Sequence, residues 1–212
     1  MATNTAQWNY GFETHELRES FIVTRYGEGP AEHDYMKHYL VHSGDTYVEG
    51  GANVGRTAYL AEKMGARAVL IEPSPFNILV VEKKIKEMGL NFILVKKALS
   101  KEKRVGFLIM AGGKSDRLGE SGDKIVVVEI DTLPNILNEL NISKVILFAC
   151  DIEGQEVEVV KQLNPKVELH LALACYHLGT DERVQKEIID VLKAKGYKDI
   201  VYEDGLVFAS AE

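Results

Sequence analysis

The chain has 212 residues, of which 46% are hydrophobic and 27% charged, with a formal charge of −7. That length and composition suit one ordinary globular domain with a sizeable core, not a fibrous or disordered chain. The acidic balance repels a phosphate backbone, so nucleic acid is not an expected partner. No apolar run approaches the roughly 20 residues of a membrane span, so no membrane partner is expected either.

Residues 1–45 precede the first strong strand signal. Residues 1–9 are polar and lack the basic-then-apolar order of a secretion signal, which points to a cytoplasmic protein. Trp8, Tyr10 and Phe12 and a helical pattern near 31–42 read as a helical cap beside the ligand site. The first strand, 46–49, delivers Glu49 and breaks into Gly50-Gly51-Ala52-Asn53-Val54-Gly55 before a helix over 56–64. Glycines here let the backbone approach a ligand that any Cβ would obstruct, and the helix start points free N–H groups at it. A second strand, 68–72, ends in Glu72-Pro73. A carboxylate at that tip, about twenty residues past the turn, is placed to accept both hydroxyls of an adenosine ribose.

A helix over 76–88 and a strand over 92–96 continue the alternation, with Gly65 and Gly89 at helix C-caps. Residues 104–129 depart from it. Two strand-like runs, 105–110 and 125–130, flank a polar, glycine-rich stretch, which predicts an antiparallel insertion with a mobile tip serving as a flap. Helices over 132–140, 154–163 and 181–195 and strands at 144–150, 167–175, 198–202 and 205–209 complete the pattern, with Gly196 at a further C-cap. The alternation predicts an α/β fold, a doubly wound and mostly parallel seven-stranded sheet. The cap is 1–45 and the ligand-binding domain 46–212. Cys150 and Cys175 lie inside apolar strands and read as core packing, not as a disulfide or zinc pair.

In such a sheet ligands bind outside the carboxyl ends of the strands. Asp151 and Glu153 leave the fourth strand, Tyr176 and His177 the fifth, and all four converge on the reactive end of the ligand. Glu49 disfavours a pyrophosphate, and no G-x-x-x-x-G-K-[ST] loop exists. An acid followed by Gly51, Asn53 and Gly55 fits S-adenosylmethionine, whose ammonium and sulfonium are positive and which carries no phosphate. An NAD-linked oxidoreductase and a non-catalytic nucleoside-binding module remain as alternatives. For methyl transfer to a hydroxyl, His177 has a suitable ordinary pKa for a base, and Asp151 or Glu153 are the other candidates. The plainer readings are Asp151 as a helix cap, Glu153 in a simple turn and His177 as a packing residue. The same carboxylates and histidine would suit Mg²⁺ or Ca²⁺, although no metal is expected.

Taken in order, Glu49-Gly50-Gly51-Ala52-Asn53-Val54-Gly55, Ile71-Glu72-Pro73, Ala98-Leu99, Asp131-Thr132-Leu133 and Ala149-Cys150-Asp151-Ile152-Glu153-Gly154-Gln155-Glu156 resemble the motifs of the FkbM-type methyltransferases. The resemblance spans about 46–163. It implies a class I, Rossmann-like fold, S-adenosylmethionine as donor with S-adenosylhomocysteine as product, and O-methylation of a hydroxyl on a small molecule or glycan. By motif position Glu49, Gly51, Ala52, Asn53 and Gly55 would lie along the methionine part, Glu72 and Pro73 at the ribose and Ala98 beside the adenine. Asp151 would also bind the cofactor, near its reacting end. Gly50 replaces the larger apolar residue usual in the family, and Ala149 stands where a lysine is common.

Overall fold

The computed structural model describes residues 35–110, 116–122, 124–176 and 182–211. In chain order its elements are β1 (Thr46–Gly50), α1 (Arg56–Lys63), β2 (Arg67–Ile71), α2 (Pro75–Met88), β3 (Ile93–Val95), β4 (Ala98–Leu99), β5 (Arg104–Ile109) and β6 (Arg117–Leu118). These are followed by β7 (Ile125–Asp131), α3 (Leu133–Glu139), β8 (Val145–Cys150), α4 (Glu156–Val160), β9 (Glu168–Ala174), α5 (Glu182–Lys195), β10 (Lys198–Glu203) and β11 (Leu206–Ser210).

The main sheet has seven strands in the order β10-β11-β9-β8-β1-β2-β3. The five from β9 to β3 are parallel, and β11 runs antiparallel to both of its neighbours. Strand order reverses between β1 and β8, and the crevice that such a reversal opens at the carboxyl ends is where an α/β sheet binds its ligand. Because side chains alternate along a strand, Val48 faces one core and Tyr47 the other. The first core packs Phe148, Leu171 and Val69 against α3 to α5 through Ile136, Val160, Ile188 and Leu192. The second is lined by small residues, Ala149, Ala172 and Ala174, which let α1 and the chain at 35–41 lie close to the sheet. Each large apolar side chain buried in this way contributes roughly 1.5–3 kcal/mol.

Residues 31–34 of the expected cap helix lie outside the described residues, as do Trp8, Tyr10 and Phe12, and 35–42 form turns and extended chain, not helix. The physical reason is lateral: Lys37 pairs with Glu203 and Asp204, His38 with Glu203, and Tyr39 stacks on His170 at 3.6 Å. This stretched strap runs down one face of the sheet before entering β1.

The insertion forms a second sheet, β4-β7-β5-β6. Its antiparallel β5–β7 pair matches the two expected runs, while β4 joins in parallel through Ala98 and Leu99 and was not anticipated. Residues 111–115 and 123 of the expected tip lie outside the described residues. α4 is also shorter than the 154–163 expected, since Glu153 (φ 56°) and Gly154 (φ 101°) turn the chain in the left-handed region before it.

Candidate functional site

The turn after β1 is built against β2 and β8. Gly51 and Ala52 donate their N–H groups to the Ile71 carbonyl, and Gly55 donates to Ala52. Gly51 has φ +74°, and a Cβ there would stand 1.8 Å from the Asp151 carbonyl oxygen, so only glycine fits. Asn53 also takes a left-handed φ of 51°, a conformation asparagine tolerates better than most residues. Gly55 is the N-cap of α1 at φ 73°. At Gly50, the Leu99 side chain fills the space a larger residue would need, a Cβ there falling 2.6 Å from its Cδ1.

Glu49 lies at 6% exposure beneath the start of α1. Burial pushes its carboxyl up to about 8, against the opposing hydrogen bonds from the Thr57 side chain and the Ala58 backbone N–H. Its Oε2 has no hydrogen-bond partner. A buried acid with one oxygen unclaimed suits a ligand that brings its own positive charge or donors.

Glu72, at the tip of β2, is buried and carries a carboxyl raised to about 7, chiefly by burial. Its Oε2 accepts the Asn53 N–H at 2.7 Å, and its Oε1 accepts the Ser74 N–H at 2.8 Å and the Asn77 amide at 3.3 Å. The acid therefore joins the strand tip, the turn and the start of α2. Pro73 beside it is half-buried, and Ala98 is buried in β4 against β7. The Ser74 hydroxyl donates to Asp116 at 2.8 Å, which brings the insertion to the same tip.

After β8 the chain is held by Glu156, a residue sequence reasoning left without a role. Its buried carboxylate accepts the Ile152 and Gly154 N–H groups, both at 2.9 Å. Asp151 does not cap α4. Its Oδ2 accepts the hydroxyls of Tyr35, at 2.7 Å, and of Tyr176. Tyr176 is thus anchored through its hydroxyl, and burial together with the Asp151 charge raises its phenol well above the ordinary range. The same two causes raise the buried Tyr35. Glu153 is half-buried on the same loop, and His177 lies outside the described residues.

The structure brings Glu49, the 50–55 turn, Glu72 and Asp151 to one end of the sheet. Sequence reasoning missed Tyr35, Glu156 and Asp116; only Glu156 carried a signal, as the last residue of its motif. The Asp-Thr-Leu motif is structural. Asp131 is fully buried, and although burial opposes its charge, hydrogen bonds from Lys97, Asn135 and the Thr132 N–H hold its carboxyl down to about 2. The Thr132 side chain caps α3 by accepting the Asn135 N–H. Cys150 and Cys175 are buried free thiols. Among the described residues no group of three His, Cys, Asp or Glu side chains is placed to hold a metal, and no helix is long and apolar enough to cross a membrane.

Residues 49–198 match the family model described as Methyltransferase FkbM domain. The fold is similar to that of the methyltransferase FkbM from Methylobacillus flagellatus KT, with TM-score 0.57 and 13% identity over 81% of this chain and 45% of that one. This chain therefore spans less than half the length of that protein. The precorrin-6y C5,15-methyltransferase of Geobacter metallireducens GS-15 is similar at TM-score 0.50 and 12% identity, over 80% of this chain and 79% of that one. A fibrillarin pre-rRNA processing protein from Methanococcus jannaschii matches at TM-score 0.50 and 15% identity, over 80% of this chain and 66% of that one. No curated protein matches the chain in sequence.

Proposed function

The chain belongs to the FkbM methyltransferase family, whose methyl donor is S-adenosylmethionine, and from that premise we propose that it methylates a hydroxyl oxygen on a small molecule or glycan. The observation that carries this reading is the pair of buried acids at adjacent strand tips, Glu49 and Glu72, on either side of the glycine turn. The residues present fit the donor. Glu49 keeps Oε2 unpartnered for an ammonium, Glu72 is oriented by three N–H donors with carboxylate lone pairs left for ribose hydroxyls, and Gly51 keeps the turn flat.

Bound there, the donor supplies an electrophilic methyl on a sulfonium. The chain's own residues must align the acceptor oxygen with that methyl and take its proton. Ala52, Asn53 and Gly55 shape the methionine side, Pro73 and Ala98 the nucleoside side. Asp151 and Glu153 orient the acceptor at the β8 tip, and His177 takes the proton. No metal is assigned a part. Nothing specific favours an NAD-linked oxidoreductase or a non-catalytic module. The charge of −7 argues against a nucleic-acid acceptor.

The test is transfer of a labelled methyl group from S-adenosylmethionine to a panel of hydroxylated small molecules and glycosides, with NMR identification of the methylated atom. A new O–CH₃ group supports the reading; methyl transfer only to nitrogen, carbon or RNA overturns it.

A further inference from the structure

The two faces of the insertion sheet differ in what covers them. Side chains alternate along β5 and β7, and the inward set, Leu108, Val128 and Ile130, is buried with Ala98 in a small core of its own. The outward set is Val105, Phe107 and Ile109 on β5 and Ile125, Val127 and Glu129 on β7. Across the ribbon Val105 stands opposite Glu129, Phe107 opposite Val127 and Ile109 opposite Ile125. An antiparallel sheet that turns one face to water ordinarily carries polar residues there, yet Glu129 is the one polar member of this set. Val105 and Val127 are each 67% exposed, Phe107 49% and Ile125 41%, while Ile109 is half-buried. Among the described residues these four are half of the eight large apolar side chains that stand exposed. Exposed apolar side chains are normal when scattered singly; gathered on one face they mark an interaction surface.

We propose that this face is the interface of a homodimer, in which the ribbons of two copies pack face to face about a two-fold axis that crosses the strands at the Phe107 and Val127 pair. The area fits a second copy. The exposed parts of the four side chains present roughly 400 Å² of apolar surface, about the apolar share of the ~800 Å² that each partner gives to a standard interface. Charge favours the same pairing. A two-fold across the strands reverses their direction, so Glu129, two positions after Val127, falls over Ile125 of the second copy, two positions before it. Lys124 directly precedes Ile125, and both Lys124 and Glu129 are exposed. Opposite charges therefore meet at each end of the interface, and the symmetry makes each contact twice. Face-to-face sheets lie about 10 Å apart with their strands nearly aligned, which lets the outward side chains of the two ribbons interdigitate. An anionic lipid surface fits less well, because the chain carries a formal charge of −7 and the patch contains an acid. The inference stands apart from the methyltransferase reading, since the outward set contains none of the site residues.

The test is sedimentation equilibrium of the full chain from about 1 μM to about 1 mM, a span that covers weak and tight association. The expected result is a rise with concentration from 23.6 kDa to twice that mass. Val127→Lys is expected to weaken the dimer at least tenfold while the circular dichroism spectrum stays that of the wild type. Lys124→Glu and Glu129→Lys should each weaken it at least threefold, as like charges replace opposite ones at both ends. An equimolar mixture of those two variants should associate as tightly as the wild type, because each then meets the opposite charge across the two-fold. A chain that stays monomeric over the whole range overturns the proposal. So does a dimer that Val127→Lys leaves intact, or a mixture no tighter than either variant alone. A monomer that floats with phosphatidylcholine and phosphatidylserine vesicles, and fails to with Val127→Lys, overturns it in favour of a lipid surface.

Discussion

Glu72 accepts the Asn53 backbone N–H at 2.7 Å, and this bond locks the tip of β2 to the turn that follows β1. With Ser74 donating to its other oxygen, the carboxylate is committed to two buried backbone donors. Glu72→Gln replaces one acceptor oxygen by an NH₂ group and leaves one of those donors unmatched. The expected cost is about 1–3 kcal/mol of stability, read as a lower denaturation midpoint in urea, together with at least tenfold weaker S-adenosylhomocysteine binding.

Glu49 gives the free protein a pH dependence of defined sign. Its folded carboxyl is raised from 4.5 to about 8, so the stability associated with its protonated form is complete below about pH 4.5 and is lost as pH rises through about 8. A ligand that places its ammonium group against Glu49 reverses the preference, because that contact favours the ionised acid. S-adenosylhomocysteine affinity is therefore expected to tighten between pH 6 and 8 by up to about tenfold per unit. Glu72, raised to about 7, steepens the lower part of that range. Calorimetry across the range checks this, and Glu49→Gln is expected to flatten its upper half.

Gly51→Ala places a methyl group 1.8 Å from the Asp151 carbonyl in a left-handed backbone. Thermal denaturation should show a loss of more than about 3 kcal/mol, from overpacking and backbone strain together, and cofactor binding should disappear with it.

Asp131 separates structure from function within the motif set. Its lowered carboxyl contributes stability that is present above about pH 3.8 and lost as pH falls through about 2. Asp131→Asn breaks a buried pair with Lys97, 2.9 Å away, and is expected to cost about 3 kcal/mol. S-adenosylhomocysteine affinity of the folded variant, measured by calorimetry, should stay within about twofold of the wild type.

Much of this was legible in the residues because the signals were local. The glycine turn, Glu72-Pro73 and the β–α alternation each follow from backbone geometry within a few positions, and the β1, β2 and β8 tips stand where the sequence predicts. The unread parts depend on long-range contacts. Tyr35 and Asp151 are 116 positions apart, and Ser74 and Asp116 are 42 apart, so no periodicity announces either pair. The strap was misread as helix because its aromatic spacing is the same whether it packs as a helix or lies extended over alanines. β4 escaped notice because two residues carry no pattern of their own.

The most direct test of the account is titration of the purified chain with S-adenosylhomocysteine by calorimetry, beside Glu49→Gln and Glu72→Ala. The account predicts one saturable site in the wild type, weakened at least tenfold by either substitution while both variants stay folded by circular dichroism. A wild type that gives no binding heat at any pH between 6 and 8, or folded variants that bind as tightly as the parent, would contradict it.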